Sequence, residues 1–389
     1  MNKRKDNFQF VVNEKRSILI FIDWFTPGFK AGGPIKSVSN IVKSLHTNFN
    51  FYIITSDRDI DEPLPYPEEK FNQWIKKAQY QIAYLSEEKR KEFITNTLNK
   101  QDFDTYYFNS LYSRPYALEP FRLIKKIKTN PNVIIAPRGM LGKGALKIKP
   151  LKKKVFLTIT KATGFFKHVT WHATDVEETE DIKIAFGKKA KIYTIPNIAI
   201  INIKETLILK KEDELKLIFF SRISPKKNLF YALEILKNLN ETNISIDIYG
   251  SIEDEIYWNK CRDFITQNNL KANYISTLQP NEVQRTLSNY HFLFFPTLHE
   301  NYGHVIVEAL TAGCGLILST NTPWSNLNRN SVGWDIELNN RRGFIEAINA
   351  CLNMNQEQYN TYRKSAYQFI INETQKQNAI ELTKKMFLQ

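Results

Sequence analysis

The chain reads as an α/β protein built from two Rossmann-like, doubly wound domains that face each other across a cleft, and three observations predict this. Short apolar runs alternate with helical stretches from one end to the other, the pattern of parallel βαβ units. The alternation halts at a polar stretch, residues 197–213, just after Pro196, and then restarts. Finally, 389 residues, 42% of them apolar, exceed what one ordinary core organises and suit two domains of roughly 100–200 residues.

The first half opens with SILIFID (17–23), a buried-strand run. A Gly/Pro loop follows, TPGFKAGGP (26–34), then an amphipathic helix over 35–45. Further strands are expected at FYIITS (51–56), TYYFN (105–109), NVIIAP (132–137), VTWHAT (169–174) and KIYTIP (191–196). The second half repeats this grammar. KLIFFS (216–221) leads through PKKN into a helix over 229–238, and ISIDIYG (244–250) into a helix over 253–267. NYIST (273–277) precedes a short helix, while HFLFFP (291–296) and GLILST (315–320) complete the set. Past Asn339 the chain is mostly helical. The expected division is a first domain over 1–200, a second over 201–370, and a C-terminal helix over 371–389 packing back toward the first. Ligands of such sheets bind beyond the C-terminal ends of the strands.

Charge separates the halves. The net value is +14, and residues 1–200 hold 34 Lys and Arg against 20 Asp and Glu, whereas the remainder holds 20 of each. Residues 120–174 contain 13 basic side chains and no acidic one. A solvated helical face normally mixes signs, so this segment suits an anionic membrane surface, a polyanionic substrate or nucleic acid as well as plain solvent. No recognisable nucleic-acid module accompanies it, and few aromatics interleave with its basic residues. No apolar stretch approaches the ~20 residues of a membrane span, and Glu14, Lys15 and Arg16 interrupt any leader-like opening. Three cysteines, Cys261, Cys314 and Cys351, form neither a disulfide framework nor a zinc pattern, which places the chain in a reducing cytoplasm.

Three constellations carry chemistry. Glu300 lies in a turn, 299–303, that opens an apolar helix over 305–312, and Glu308 lies about two turns beyond it, within that helix. Two carboxylates so placed can face one cleft and accept hydrogen bonds from sugar hydroxyls, or can simply be a helix N-terminal charge and a surface residue. Gly303 permits close backbone approach, and the helix N-terminus favours a phosphate. Arg222 and Lys227 stand at a strand–helix turn, where two cations suit a diphosphate or mere solvent. Gly28, Gly32 and Gly33 follow the first strand, either cradling phosphate or making a plain turn. The acidic string Asp57, Asp59, Asp61 lacks the Gly and distal Glu of a calcium loop and reads as solvated, with no metal site expected.

In this order the pieces resemble the family 4 retaining glycosyltransferases, whose fold is GT-B. SRISPKKN, IDIYGS and ENYGHVIVEALTAG stand where that family carries G-R-x-x-x-x-K-N, a strand ending in Gly, and E-G-F-G-x-x-x-x-E-A-x-A-x-G. AGGPIKSVSNIV, APRGML, HATDVEETEDI, YTIPN, TPWSNL and VGWDI are similar to a bacterial polysaccharide-building branch, so the resemblance covers nearly the whole chain. It implies transfer of a hexose or N-acetylhexosamine from a nucleotide sugar, with UDP the expected nucleotide, to a glycan or lipid-linked acceptor. Glu300 would bind donor-sugar hydroxyls, the backbone of Asn301, Tyr302, Gly303, His304 and Val305 the sugar and phosphate, and Glu308 the ribose. Arg222 and Lys227 would grip the diphosphate, with Gly32 and Gly33 facing it from the other domain. Gly250 and Leu278 would complete the donor site, Leu278 beside the base.

The departures are informative. Asn197-Ile198 replaces Asn-Gly, and Gly315 stands where Pro is common. Asn109 occupies the place of a histidine found in many relatives; it can hydrogen-bond but cannot act as a base. His172 and His304 are the remaining histidine candidates. No cofactor or metal is expected, with Lys227 and Arg222 both needed for turnover. Arg138, Lys143, Lys147, Lys149, Lys152, Lys153 and Lys154 form the expected acceptor or membrane patch, at the cytoplasmic face of the membrane. The alternatives are another GT-B nucleotide-sugar enzyme, an epimerase or phosphorylase, and more remotely a nucleic-acid-binding protein.

Overall fold

The computed structural model describes residues 15–147, 150–203, 208–239 and 243–389. Two sheets organise it. The first contains β1 (Ser17–Phe21), β2 (Asn50–Ser56), β3 (Ile75–Lys76), β4 (Gln81–Leu85), β5 (Thr105–Phe108), β6 (Val133–Ile135), β7 (Thr170–Ala173) and β8 (Lys191–Thr194), in the order β3-β4-β2-β1-β5-β6-β7-β8. All neighbours pair in parallel except the short edge strand β3. The second sheet contains β9 (Leu215–Phe220), β10 (Ile244–Tyr249), β11 (Ala272–Ser276), β12 (Phe292–Phe295), β13 (Gly315–Ser319) and β14 (Gly333–Ile336), all parallel, in the order β11-β10-β9-β12-β13-β14.

The central strands form because their side chains are apolar on both faces and helices cover both. In β1, Ile18 and Ile20 point into one core layer, while Leu19 and Phe21 enter the other. β12, FLFF, is fully buried, and each such side chain contributes about 1.5–3 kcal/mol by leaving water. Three strands were not expected from the sequence: β3, β4 and β14. β4, QIAYL, is short and flanked by polar residues, and takes its strand state from pairing with β2.

Each sheet reverses its winding once. In the first the reversal lies between β1 and β5, and in the second between β9 and β12. A crevice opens at such a point because the adjoining connections leave in opposite directions. The first crevice is bordered by the loop 22–32 and by Asn109, the second by Arg222–Lys227 and by the loop that carries Glu300.

The chain crosses back at its end. Gln356–Gln377 packs Tyr359, Ala366 and Ile370 into the second core. The helix breaks at Asn378 (φ 46°), not at residue 371, because a left-handed residue ends its hydrogen-bond ladder. Ala379–Phe387 then packs on the first sheet, with the Phe387 ring 5.6 Å from Phe49 and 5.7 Å from Tyr107. Arg16 Nη1 donates to Gln389 O at 3.0 Å.

Candidate active site

The second domain's wall is built on two laced turns. After β9 the chain passes Arg222 into a 3-10 turn, Pro225–Lys227, closed by Asn228 in the left-handed conformation (φ 63°). Asn228 Nδ2 donates to Pro296 O at 2.9 Å, Thr297 Oγ1 to Lys226 O at 3.1 Å, and Leu298 N to Lys226 O at 2.9 Å. This lacing sets Lys227 Nζ against Glu300 Oε2, with the ammonium 5.4 Å from the Phe295 ring centre. The two side chains are only 11% and 16% exposed. A pair this dry is held mainly by its own attraction, and a ligand bringing anionic oxygens and hydroxyls can satisfy both partners separately.

The Glu300 loop ends at Gly303 (φ 77°), where a Cβ would stand 2.7 Å from Ile306 Cδ1 and 3.2 Å from Glu300 Cγ. Glycine is required there, both for the backbone angle and for space. Gly303 opens His304–Thr311, a helix with no side-chain cap, so its leading N–H groups are available to an anion. Tyr302 is buried, its carbonyl accepting from Trp324 Nε1 at 2.6 Å, and Val305 packs against the core.

The first domain closes onto this wall through the helix Gly33–Leu45. Lys36 Nζ pairs with Glu308, and Ser37 Oγ lies 3.1 Å from His304 Nε2. Gly33 faces the His304 ring, 3.5 Å from where its Cβ would be, whereas Gly32 (φ 67°) opens onto free space. Burial first, then Lys36 and Arg138, push His304 down to about 3, so its ring is neutral at ordinary pH.

Several sequence expectations change. Gly28 does not cradle a ligand: its Cβ would meet Tyr66 OH at 2.4 Å. The acidic string is solvated only at Asp61. Asp57 and Asp59 are buried, and Asp59 Oδ2 accepts from Phe29 N at 2.7 Å and Lys30 N at 3.0 Å, folding the Gly-rich loop itself. Gly250 (φ 138°) is demanded by the second sheet, since a Cβ would stand 1.9 Å from Ser221 O. Arg222 does not join the Lys227–Glu300 pair but binds Glu253 Oε1 at 2.9 Å, partly exposed. Leu278 follows β11 and packs against the second core.

Asn109 is engaged at both ends of its amide, accepting from Arg138 Nε at 2.8 Å and donating to Pro34 O at 3.2 Å. His172 is buried at 1% exposure between Tyr107 OH (2.9 Å) and Ile195 O (3.0 Å), and burial pushes it down to about 3. It cannot reach a substrate. In the basic segment Lys152 and Lys154 are exposed, but Lys153 turns inward, donating to Ala145 O at 2.6 Å and lying over the Tyr112 ring. Lys149 and the side chains of Lys143 and Lys147 lie outside the described residues.

Sequence reasoning missed Lys36, Ser37, Asp59, Tyr107 and Asn197. Lys36 and Ser37 carried a faint signal, since they follow the Gly-rich loop within the first five residues of its helix. The others touch the site only through contacts distant in sequence.

Residues 203–369 match the family model described as "Glycosyl transferases group 1". No curated protein matches the chain in sequence. Among solved structures, the chain resembles HepE from Anabaena in complex with UDP and glucose, at 13% identity and TM-score 0.66, over 95% of this chain and 100% of that one. WaaG, a glycosyltransferase involved in lipopolysaccharide biosynthesis, matches at 12% identity and TM-score 0.62, over 95% and 98%. A TarM mutant from S. aureus in complex with fondaparinux, α-GlcNAc-glycerol and UDP matches at 16% and TM-score 0.59, over 77% of this chain but only 59% of that one. Residues 203–369 therefore carry the group 1 glycosyltransferase match, and the chain has the GT-B fold of two Rossmann-like domains.

Proposed function

We propose that this chain is a retaining glycosyltransferase that moves a hexose or N-acetylhexosamine from a UDP-linked sugar to a glycan or lipid-linked acceptor in bacterial surface polysaccharide synthesis. The observation that carries the reading is the nearly buried Lys227–Glu300 pair at the second sheet's crevice, beside an uncapped helix N-terminus. It lies within the segment matched to the group 1 glycosyltransferases, and UDP is named with two of the similar structures.

On this reading the donor parts the pair. Glu300 takes sugar hydroxyls, and Lys227 and the N–H groups after Gly303 take the diphosphate, with Arg222 swinging from Glu253 to join them. Glu308 leaves Lys36 for the ribose, and Leu278 borders the base. Charge on the departing diphosphate is met by these groups without a metal ion. With His172 sealed and His304 a weak base, the acceptor's proton passes to the leaving diphosphate. The new glycosidic bond forms on the face from which the diphosphate departs, so the anomeric configuration is kept.

Association with the cytoplasmic face of the membrane belongs to the same proposal. The helix Pro150–Ala162 exposes Leu151, Val155 and Ile159 at four-residue spacing, beside exposed Lys152, Lys154 and Lys161. Such a face lies in the headgroup region of an anionic bilayer. No helix among the described residues is long and apolar enough to cross one.

The test is product analysis with labelled UDP-sugars and an acceptor extract. A glycoside with the donor's anomeric configuration is expected, and free sugar or epimerised donor as the sole product would contradict the reading.

A further inference from the structure

Arg138 is a cation without a counter-charge among the described residues. It sits just past β6 in the left-handed conformation (φ 55°), and three neutral oxygens hold its guanidinium. Nε donates to Asn109 Oδ1 at 2.8 Å, Nη1 to Asn197 Oδ1 at 2.6 Å and Nη2 to Tyr107 OH at 2.7 Å. The direction of each bond is forced. Ile195 O can only accept, so His172 carries its proton on Nε2 and accepts at Nδ1. Tyr107 must therefore donate to His172, leaving its lone pair for Arg138. Asn109 spends its amide on Pro34 O, leaving its carbonyl for Arg138. The nearby carboxylate of Glu178 is occupied elsewhere, by Gly139 N at 2.6 Å and by Thr174 N and Oγ1. Among the described residues Arg138 has no ion-pair partner, and three of the five guanidinium N–H groups are used.

A partly buried guanidinium oriented by neutral acceptors alone keeps its charge for something that arrives. Its position says where. The Arg138–Gly139 turn touches the donor loop, with Asn301 Cγ 3.5 Å from where a Gly139 Cβ would be, so Arg138 borders the meeting of the two domains. The opposite wall already holds Arg222, Lys226, Lys227 and a helix N-terminus for a diphosphate. A cation fixed on the first domain's wall serves a different group.

We infer that Arg138 is the receptor for an anionic group on the acceptor, a phosphate or a carboxylate, gripped by the free edge of the guanidinium while Asn109, Asn197 and Tyr107 fix its plane. The inference rests on the glycosyltransferase reading for the word acceptor, and on the charge geometry alone for the anion. Arg138 binds and positions; Asn109 acts through it.

Calorimetry separates the two. The full chain is saturated with UDP, then titrated with inorganic phosphate and, separately, with methyl glucuronide. Wild type is expected to bind at least one of them, phosphate marking a phosphorylated acceptor and glucuronide an acidic sugar. Arg138→Gln should lose that affinity tenfold or more while keeping UDP affinity within about twofold, and Arg138→Lys, which keeps the charge but not the fork, should fall between. Arg138→Lys also serves if Arg138→Gln melts early. Equal anion affinity in Arg138→Gln, no anion binding to the UDP-loaded wild type, or a tenfold loss of UDP affinity in Arg138→Gln would overturn the inference. If wild type binds no UDP, the glycosyltransferase reading fails by itself. The anion site then stands or falls on the same phosphate and glucuronide titrations of wild type against Arg138→Gln without UDP, equal affinity in the two overturning it.

Discussion

Lys227 and Arg222 resemble each other in sequence, two cations at one strand–helix turn, and differ in place. Lys227 is nearly buried and fixed by its laced turn against Glu300, whereas Arg222 is partly exposed and held by a carboxylate of its own, Glu253. An exposed pair contributes little, and an arginine that must leave one partner for another gains less than a lysine already in place. Lys227→Ala should therefore lower kcat by about 10²–10³-fold, the range for losing one preorganised donor to a developing charge. Arg222→Ala should lower it by roughly tenfold, nearer to what one charge-assisted hydrogen bond supplies. Steady-state kinetics on both variants checks the order, and equal losses would refute it. Glutamate spacing and the two cations were legible from local pattern. The partners that tune them, Glu253 and Lys36, were not, because they arrive from the loop after β10 and from the other domain.

Among the elements, the helix His304–Thr311 depends most on one residue. Gly303 gives it a left-handed entry and clears room for Glu300 and Ile306. A methyl at Gly303 has to displace Ile306 and press on Glu300, in a backbone state costing roughly 1–2 kcal/mol for an L-residue. Gly303→Ala should lower kcat/KM by about tenfold or more while thermal melting shifts by only a few degrees; an unchanged kcat/KM would remove the loop from the site. The contrast with the Gly-rich loop 28–33 is instructive. Both looked like phosphate cradles in sequence, yet Asp59 occupies the N–H groups of Phe29 and Lys30. Strong apolar runs such as FLFF declared their strands because burial on both faces dictates them. QIAYL and GWDI did not, since their strand state comes from a neighbour rather than from composition, and the Asp59 contact spans 30 residues that no local pattern connects.

Over the whole molecule, the uneven charge and the two-domain closure belong together. The second domain, electrically balanced in sequence, holds the groups proposed to bind the donor. The basic first half carries an exposed apolar stripe on one helix and, at the cleft, an arginine with no ion-pair partner among the described residues. Vesicle flotation should show binding that rises with anionic lipid and falls with salt, and Leu151→Ser with Val155→Ser should weaken it about tenfold or more without changing UDP affinity. Equal binding to neutral and anionic vesicles would exclude the basic helix as the contact. The alternation of strands and helices made both Rossmann-like domains legible. The closure itself was not, because Lys36 with Glu308 and Ser37 with His304 join positions more than 260 residues apart.

The central claim is that Lys227 and Glu300 part to hold a nucleotide sugar. Isothermal titration of the wild type and of Lys227→Ala with UDP-glucose and UDP-N-acetylglucosamine tests it most directly. The account predicts saturable binding of at least one donor by the wild type, weakened tenfold or more in Lys227→Ala. Equal affinity in the two proteins, or no binding of either donor or of UDP to the wild type, would contradict it.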